Sequence, residues 1–127
     1  MDILISVSDI LVLLEMKNAL ARKGYNVVGL AVNDDETLKY IEELRPDLVM
    51  LDLELEGEVS GLDLTQYIND VYHIPVVHLT FKNDQETVKA IIEGKPYGVL
   101  SKYCDDIQLY LTVELAYHQF TEEMMML

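Results

Sequence analysis

Three residues have the types and the spacing to share one piece of chemistry: Asp52, Thr80 and Lys102. Each stands at or just past the end of a short run rich in Val, Ile and Leu: Leu48-Val49-Met50-Leu51 before Asp52, Pro75-Val76-Val77-His78-Leu79 before Thr80, and Gly98-Val99-Leu100 before Ser101 and Lys102. An acid, a hydroxyl and an ammonium that converge at one edge of a sheet can hold and react with a phosphoryl group. Taken singly, each has a plainer reading: Asp52 ends a strand, Thr80 is a β-former, and Lys102 is a surface charge. Their value depends on being brought together, so the elements that carry them must be read next.

The pattern alternates β-rich runs with helical stretches five times. Strands are predicted at residues 3–7, 25–31, 48–51, 75–79 and 98–100, with helices near 9–23, 34–45, 61–72, 84–94 and 105–121. The third run is continuously apolar, as a central strand covered on both faces requires. Asp34 is expected to cap the second helix, and Gly24 and Pro46 fall just past the ends of the first and second. Leu64, Ile68 and Val71 recur at helical spacing in the third. Alternating units of this length imply an α/β fold, a flavodoxin-like doubly wound (βα)5 with a five-stranded parallel sheet. In such sheets the ligand crevice lies at the carboxyl ends of the strands, where Asp52, Thr80 and Lys102 would stand.

Bulk properties narrow the function classes. The chain has 127 residues, enough for one domain with a sizeable core. Residues 1–121 are expected to form that domain, with 122–127 as a helical extension or frayed tail. Acids outnumber bases 23 to 9, for a formal charge of −14, which argues against direct nucleic-acid binding. No apolar run approaches the roughly 18 residues of a membrane span, and no secretion signal opens the chain. The single Cys104 permits no internal disulfide, so a cytoplasmic location is expected. P-loop, zinc and hydrolase-elbow motifs are missing.

With these residues in view, the sequence resembles the response-regulator receiver domain of two-component signalling, from about residue 2 to 120. Pro46-Asp47-Leu48-Val49-Met50-Leu51-Asp52 resembles the family's third strand, Ile74-Pro75-Val76-Val77-His78-Leu79-Thr80 its fourth, and Tyr97-Gly98-Val99-Leu100-Ser101-Lys102 its fifth. The resemblance implies that Asp52 is the phosphoacceptor, that Thr80 is the switch hydroxyl, and that Lys102 binds phosphoryl oxygens. It implies a histidine kinase or phosphotransfer protein as partner and a phosphoacceptor role in place of an enzyme's.

The chain departs from the family at the metal site and at the output. Where the family has a pair of acids after the first strand, this chain has Val7 and Ser8, so Mg2+ is expected to bind weakly. Asp9, Asp52 and Glu54 are the remaining candidates for a weak or absent metal site, with Asp9 expected chiefly to cap the first helix. The aromatic switch position is Val99, and Tyr103 follows Lys102 where the family has proline. The last helix carries two apolar stripes: Leu109, Val113, Ala116 and Phe120 on one side, and Ile107, Leu111 and Leu115 nearly opposite. One stripe must pack on the sheet. The other suits a homodimer through the fourth helix, fifth strand and fifth helix, as receivers often form.

Two alternatives compete with the phosphoacceptor reading. Val7, Ser8, Val99 and the second stripe fit a phosphorylation-independent interaction module on the same fold. A flavin- or nucleotide-binding protein shares the architecture, but Ser6-Val7-Ser8-Asp9-Ile10 has no glycine to cradle phosphate.

Overall fold

A computed structural model describes all residues, 1–127, as five strands and five helices. The strands are β1 (Asp2–Ser6), β2 (Asn26–Ala31), β3 (Leu48–Asp52), β4 (Val76–Thr80) and β5 (Gly98–Ser101). The helices are α1 (Ile10–Arg22), α2 (Asp34–Leu44), α3 (Gly61–Tyr67), α4 (Gln85–Gly94) and α5 (Asp106–Met125). All strand pairs are parallel, in the order β2-β1-β3-β4-β5. The expected doubly wound sheet is the one found.

Alternation along the strands splits the core into two layers. Ile3, Ile5, Leu48, Met50, Val77 and Leu79 face α1 and α5, where Leu13, Leu20, Leu109 and Val113 meet them. Leu4, Val49, Leu51 and Val76 face α2 and α3, against Ile41, Leu64 and Ile68. Every residue of β3 is buried, because helices cover both of its faces. At about 1.5–3 kcal/mol per buried aliphatic side chain, this double layer is the main source of stability. It also fixes the register that presents Asp52 and Thr80 at one edge, since Asp52 pairs with Leu79.

Two local expectations need correction. Asp34 does not cap α2. Asn33 does, accepting from Glu36 N at 2.8 Å, while Glu36 Oε1 accepts from Val32 N. Asp34 is instead the first helical residue, and its buried carboxylate accepts from Val59 N at 3.0 Å. Val71 does not join the apolar face of the third helix. That helix opens into one π-helical turn, Ile68–Tyr72, whose wider winding leaves Val71 exposed while Tyr72 packs on the core. Helix α5 runs unbroken through Met125. Gly24 takes φ +85° after α1, the conformation a glycine accepts at least cost. No helix is long and apolar enough to cross a membrane.

Candidate functional site

The carboxyl edge of the sheet gathers the three predicted residues. Lys102 Nζ lies 2.6 Å from Asp52 Oδ1, with both side chains almost wholly buried. Lys102 reaches this point because its own N–H donates to Thr80 O, which ties the end of β5 to the end of β4. Thr80 closes β4 one strand away from Asp52 and is itself buried.

Glu54 completes the cluster. Its backbone N–H donates to Asp52 Oδ1 at 2.8 Å, closing a tight turn out of β3. Its side chain then folds back over the pocket. Thr80 Oγ1 donates to Glu54 Oε1 at 3.2 Å, and Lys102 Nζ stands 3.6 Å from Glu54 Oε2. The same Thr80 oxygen accepts from Lys82 N at 3.0 Å. One ammonium therefore serves two carboxyl groups.

The electrostatics follow from that count. Burial pushes the Asp52 carboxyl above its ordinary value; Lys102 draws it down, and Glu54 pushes it up again. Burial also acts to raise Glu54, but a proton held on Asp52 that Glu54 can accept from, the Lys102 charge and the Thr80 hydroxyl hold it below the usual carboxylate range. The two acids thus divide their roles: Asp52 is the one more readily neutralised, and Glu54 the one held as an anion.

Phe81 is a member of the site that sequence reasoning missed. Lys102 Nζ lies 4.6 Å from the centre of its ring, within cation–π range, and Tyr103 packs against the same ring at 4.6 Å between centroids. The available signal was its position directly after Thr80. Tyr103 is mostly exposed and packs against Phe81, and Val99 is also partly exposed on β5.

The donor set does not fit a Mg2+ held by an acidic pair. Val7 is buried in the core and offers no oxygen. Ser8 Oγ donates to Val32 O and accepts from Glu56 N, so its hydroxyl holds the loop after β3. Asp9 Oδ1 accepts from Leu11 N and Val12 N as the cap of α1. Of the three acids considered for a metal, Asp9 is therefore committed elsewhere, while Asp52 and Glu54 already share the Lys102 ammonium. No group of three His, Cys, Asp or Glu side chains converges in a metal-holding arrangement.

On α5 the structure separates the two stripes. Leu109, Val113 and Ala116 are buried, and Phe120 packs edge-on against Tyr97. Ile107, Leu111 and Leu115 are exposed, as are Val88 and Ile92 on α4.

Comparison with known proteins agrees with this geometry. The receiver domain of a modulated diguanylate cyclase from Desulfovibrio desulfuricans superposes with a TM-score of 0.88 at 26% identity, covering 96% of this chain and 97% of that one. The N-terminal domain of a response regulator/sensory box/GGDEF protein from Carboxydothermus hydrogenoformans gives 0.86 at 25% identity, covering 98% and 99%. The polar-differentiation response regulator DivK of Brucella anthropi is 33% identical over 106 residues, 75% of this chain and 83% of its own length. The transcriptional regulatory protein PdtaR of Mycobacterium tuberculosis is 27% identical over 120 residues, 94% of this chain but 58% of its own length. The chain spans only 43% of the transcriptional regulatory protein YdfI of Bacillus subtilis. The profile of the response regulator receiver domain matches residues 3–114. Motif order, sheet topology and these relatives agree, and the chain belongs to the response regulator receiver domain family of two-component signalling.

Proposed function

We propose that Asp52 accepts a phosphoryl group from a phosphohistidine on a histidine kinase or phosphotransfer protein. The observation that carries this reading is the 2.6 Å contact between Lys102 Nζ and Asp52 Oδ1, one strand from the Thr80 hydroxyl. An Asp52 oxygen forms a bond to phosphorus as the bond from phosphorus to the imidazole nitrogen breaks, and the electron pair returns to that ring. Lys102 then pairs with the phosphoryl oxygens, and the Thr80 hydroxyl donates to one of them. The domain serves as a phosphoacceptor and does not turn over a substrate of its own. Receivers typically hold Mg2+ beside the acceptor, and here the donor set favours only weak binding. A receiver fed by a kinase that draws on ATP works in the cytoplasm, and the charge of −14 disfavours direct contact with nucleic acid. Incubation with acetyl phosphate, with and without Mg2+, should add one phosphoryl group by intact mass, and Asp52→Asn should add none. No mass gain in the native protein at saturating donor would end this reading.

We further propose that two copies join through α4, β5 and α5. Ile107 and Leu115 are each 66% exposed and Leu111 53%, a row of aliphatics that water covers poorly. Leu111→Asp should weaken self-association by about tenfold or more, read by sedimentation velocity over a concentration series. A native protein that stays monomeric up to millimolar concentration, phosphorylated or not, would remove the proposal.

A further inference from the structure

We infer that the Glu54 carboxylate is a built-in occupant of the phosphoryl subsite, so that a phosphoryl group reaching Asp52 must first displace it. The inference rests on Asp52 being the acceptor and adds what guards it.

Four observations support it. One Glu54 oxygen receives the Thr80 hydroxyl at 3.2 Å, and the other lies 3.6 Å from the Lys102 ammonium. A phosphoryl group on Asp52 would need these same two partners. Asp52 itself is 1% exposed, whereas the Glu54 side chain keeps 30% of its surface. Glu54 also lines an open cleft with Leu53, Ser60, Thr80, Lys82 and Thr87, a lining that does not include Asp52. Glu54 Oε2 is buried without a hydrogen-bond partner, so its place is set by charge and by the turn beneath it.

Two consequences follow from an anion in that position. A dianionic phosphoryl donor entering the cleft meets a like charge where its own oxygens must go, so transfer is slowed. Thr80 is held inward without phosphate, because Glu54 supplies the acceptor that the phosphoryl oxygen would supply. The switch loop then rests close to its phosphorylated position, and phosphorylation exchanges one anion for another.

The test compares native protein, Glu54→Gln, Glu54→Ala and Asp52→Asn with acetyl phosphate as probe. In the reaction an Asp52 oxygen bonds to phosphorus while the phosphorus–oxygen bond to the acetyl group breaks, and acetate leaves with the electron pair. Glu54→Gln keeps the shape and removes the charge, and uptake should rise by about tenfold. A purely structural role for Glu54 would not accelerate the reaction. The second readout needs no phosphate. The Lys82 amide donates to Thr80 Oγ1, so its hydrogen exchange reports the position of that hydroxyl. In Glu54→Ala it should speed up by about tenfold. An uptake rate in Glu54→Gln equal to or below native, or an unchanged Lys82 amide in Glu54→Ala, overturns the inference. If none of the proteins takes up phosphate, the acceptor reading of Asp52 fails, and the Lys82 amide alone decides whether Glu54 holds Thr80.

Discussion

Lys102→Met should cost the fold about 3–5 kcal/mol at pH 7 and slow phosphoryl uptake at Asp52 by about 100-fold or more. The stability loss arises from what remains behind. Lys102 Nζ is the cation for both Asp52 and Glu54, at 2.6 Å and 3.6 Å. Without it, two carboxylates share a pocket with no positive partner, and at least one must take up a proton or draw in water. Asp52 is already displaced upward by burial, so it is the one to protonate, which holds the loss toward the low end of the range. Methionine fills nearly the volume of the lysine stem and keeps contact with Phe81, so a cavity is not the cause. The double variant Asp52→Asn with Lys102→Met removes the more deeply buried of the two acids, leaving only the partly exposed Glu54 without a cation, and should regain more than half of the lost stability. Urea unfolding of the two single variants and the double variant measures this coupling. The rate loss has a separate origin: on the proposed function, the ammonium that would neutralise developing charge on the phosphoryl oxygens is gone. A Lys102→Met protein as stable as the native one would show that the ion pair does not organise the pocket.

Much of this site could be read along the chain, because strand ends announce themselves. The apolar run of residues 48–51, short and preceded by Pro46, reads as a covered strand within the β-α alternation, and the residue closing it stands at the carboxyl edge, so the meeting of Asp52 with Lys102 followed from topology. The path of Glu54 did not follow. Its side chain direction depends on a turn closed by its own N–H on Asp52, and on Thr80 and Lys102 arriving from 26 and 48 residues away. Nothing in the local pattern encodes that. The cap of α2 was ambiguous for a related reason: Asn33 and Asp34 are adjacent and equally able to cap. What separates them is Val59 N, which claims the Asp34 carboxylate from the distant loop after β3. The π turn in α3 escaped because periodicity analysis assumes 3.6 residues per turn, and an i→i+5 turn shifts Val71 off the face that spacing assigns it.

Stability should also fall by about 3 kcal/mol between pH 7 and pH 4 through His78 alone. His78 is fully buried on β4, and burial pulls its pKa down from 6.5 to about 4. The hydrogen bonds explain why it resists protonation. Thr65 Oγ1 donates to Gly61 O at 2.7 Å, so His78 Nε2 must be the donor in its 2.6 Å contact with that same Thr65 oxygen. This assignment leaves Nδ1 as a buried acceptor with no partner. A proton added there would be a buried N–H with nothing to receive it, on a ring that has become a cation. Between pH 6.5 and 4 the unfolded chain binds the proton and the native one does not, so the stability that His78 supports is complete above pH 6.5. It is lost as the pH falls toward 4, by up to about 1.4 kcal/mol per pH unit. The carboxylates add their own dependence, so the contrast that matters is with His78→Gln, which keeps an amide donor for Thr65 but does not titrate. Urea melts at pH 7, 5.5 and 4 should show the native protein losing about 3 kcal/mol more than His78→Gln over that span. Parallel losses in the two proteins would mean that the imidazole takes up its proton in the native state as readily as in the unfolded chain, and that the packing around β4 opens to admit it.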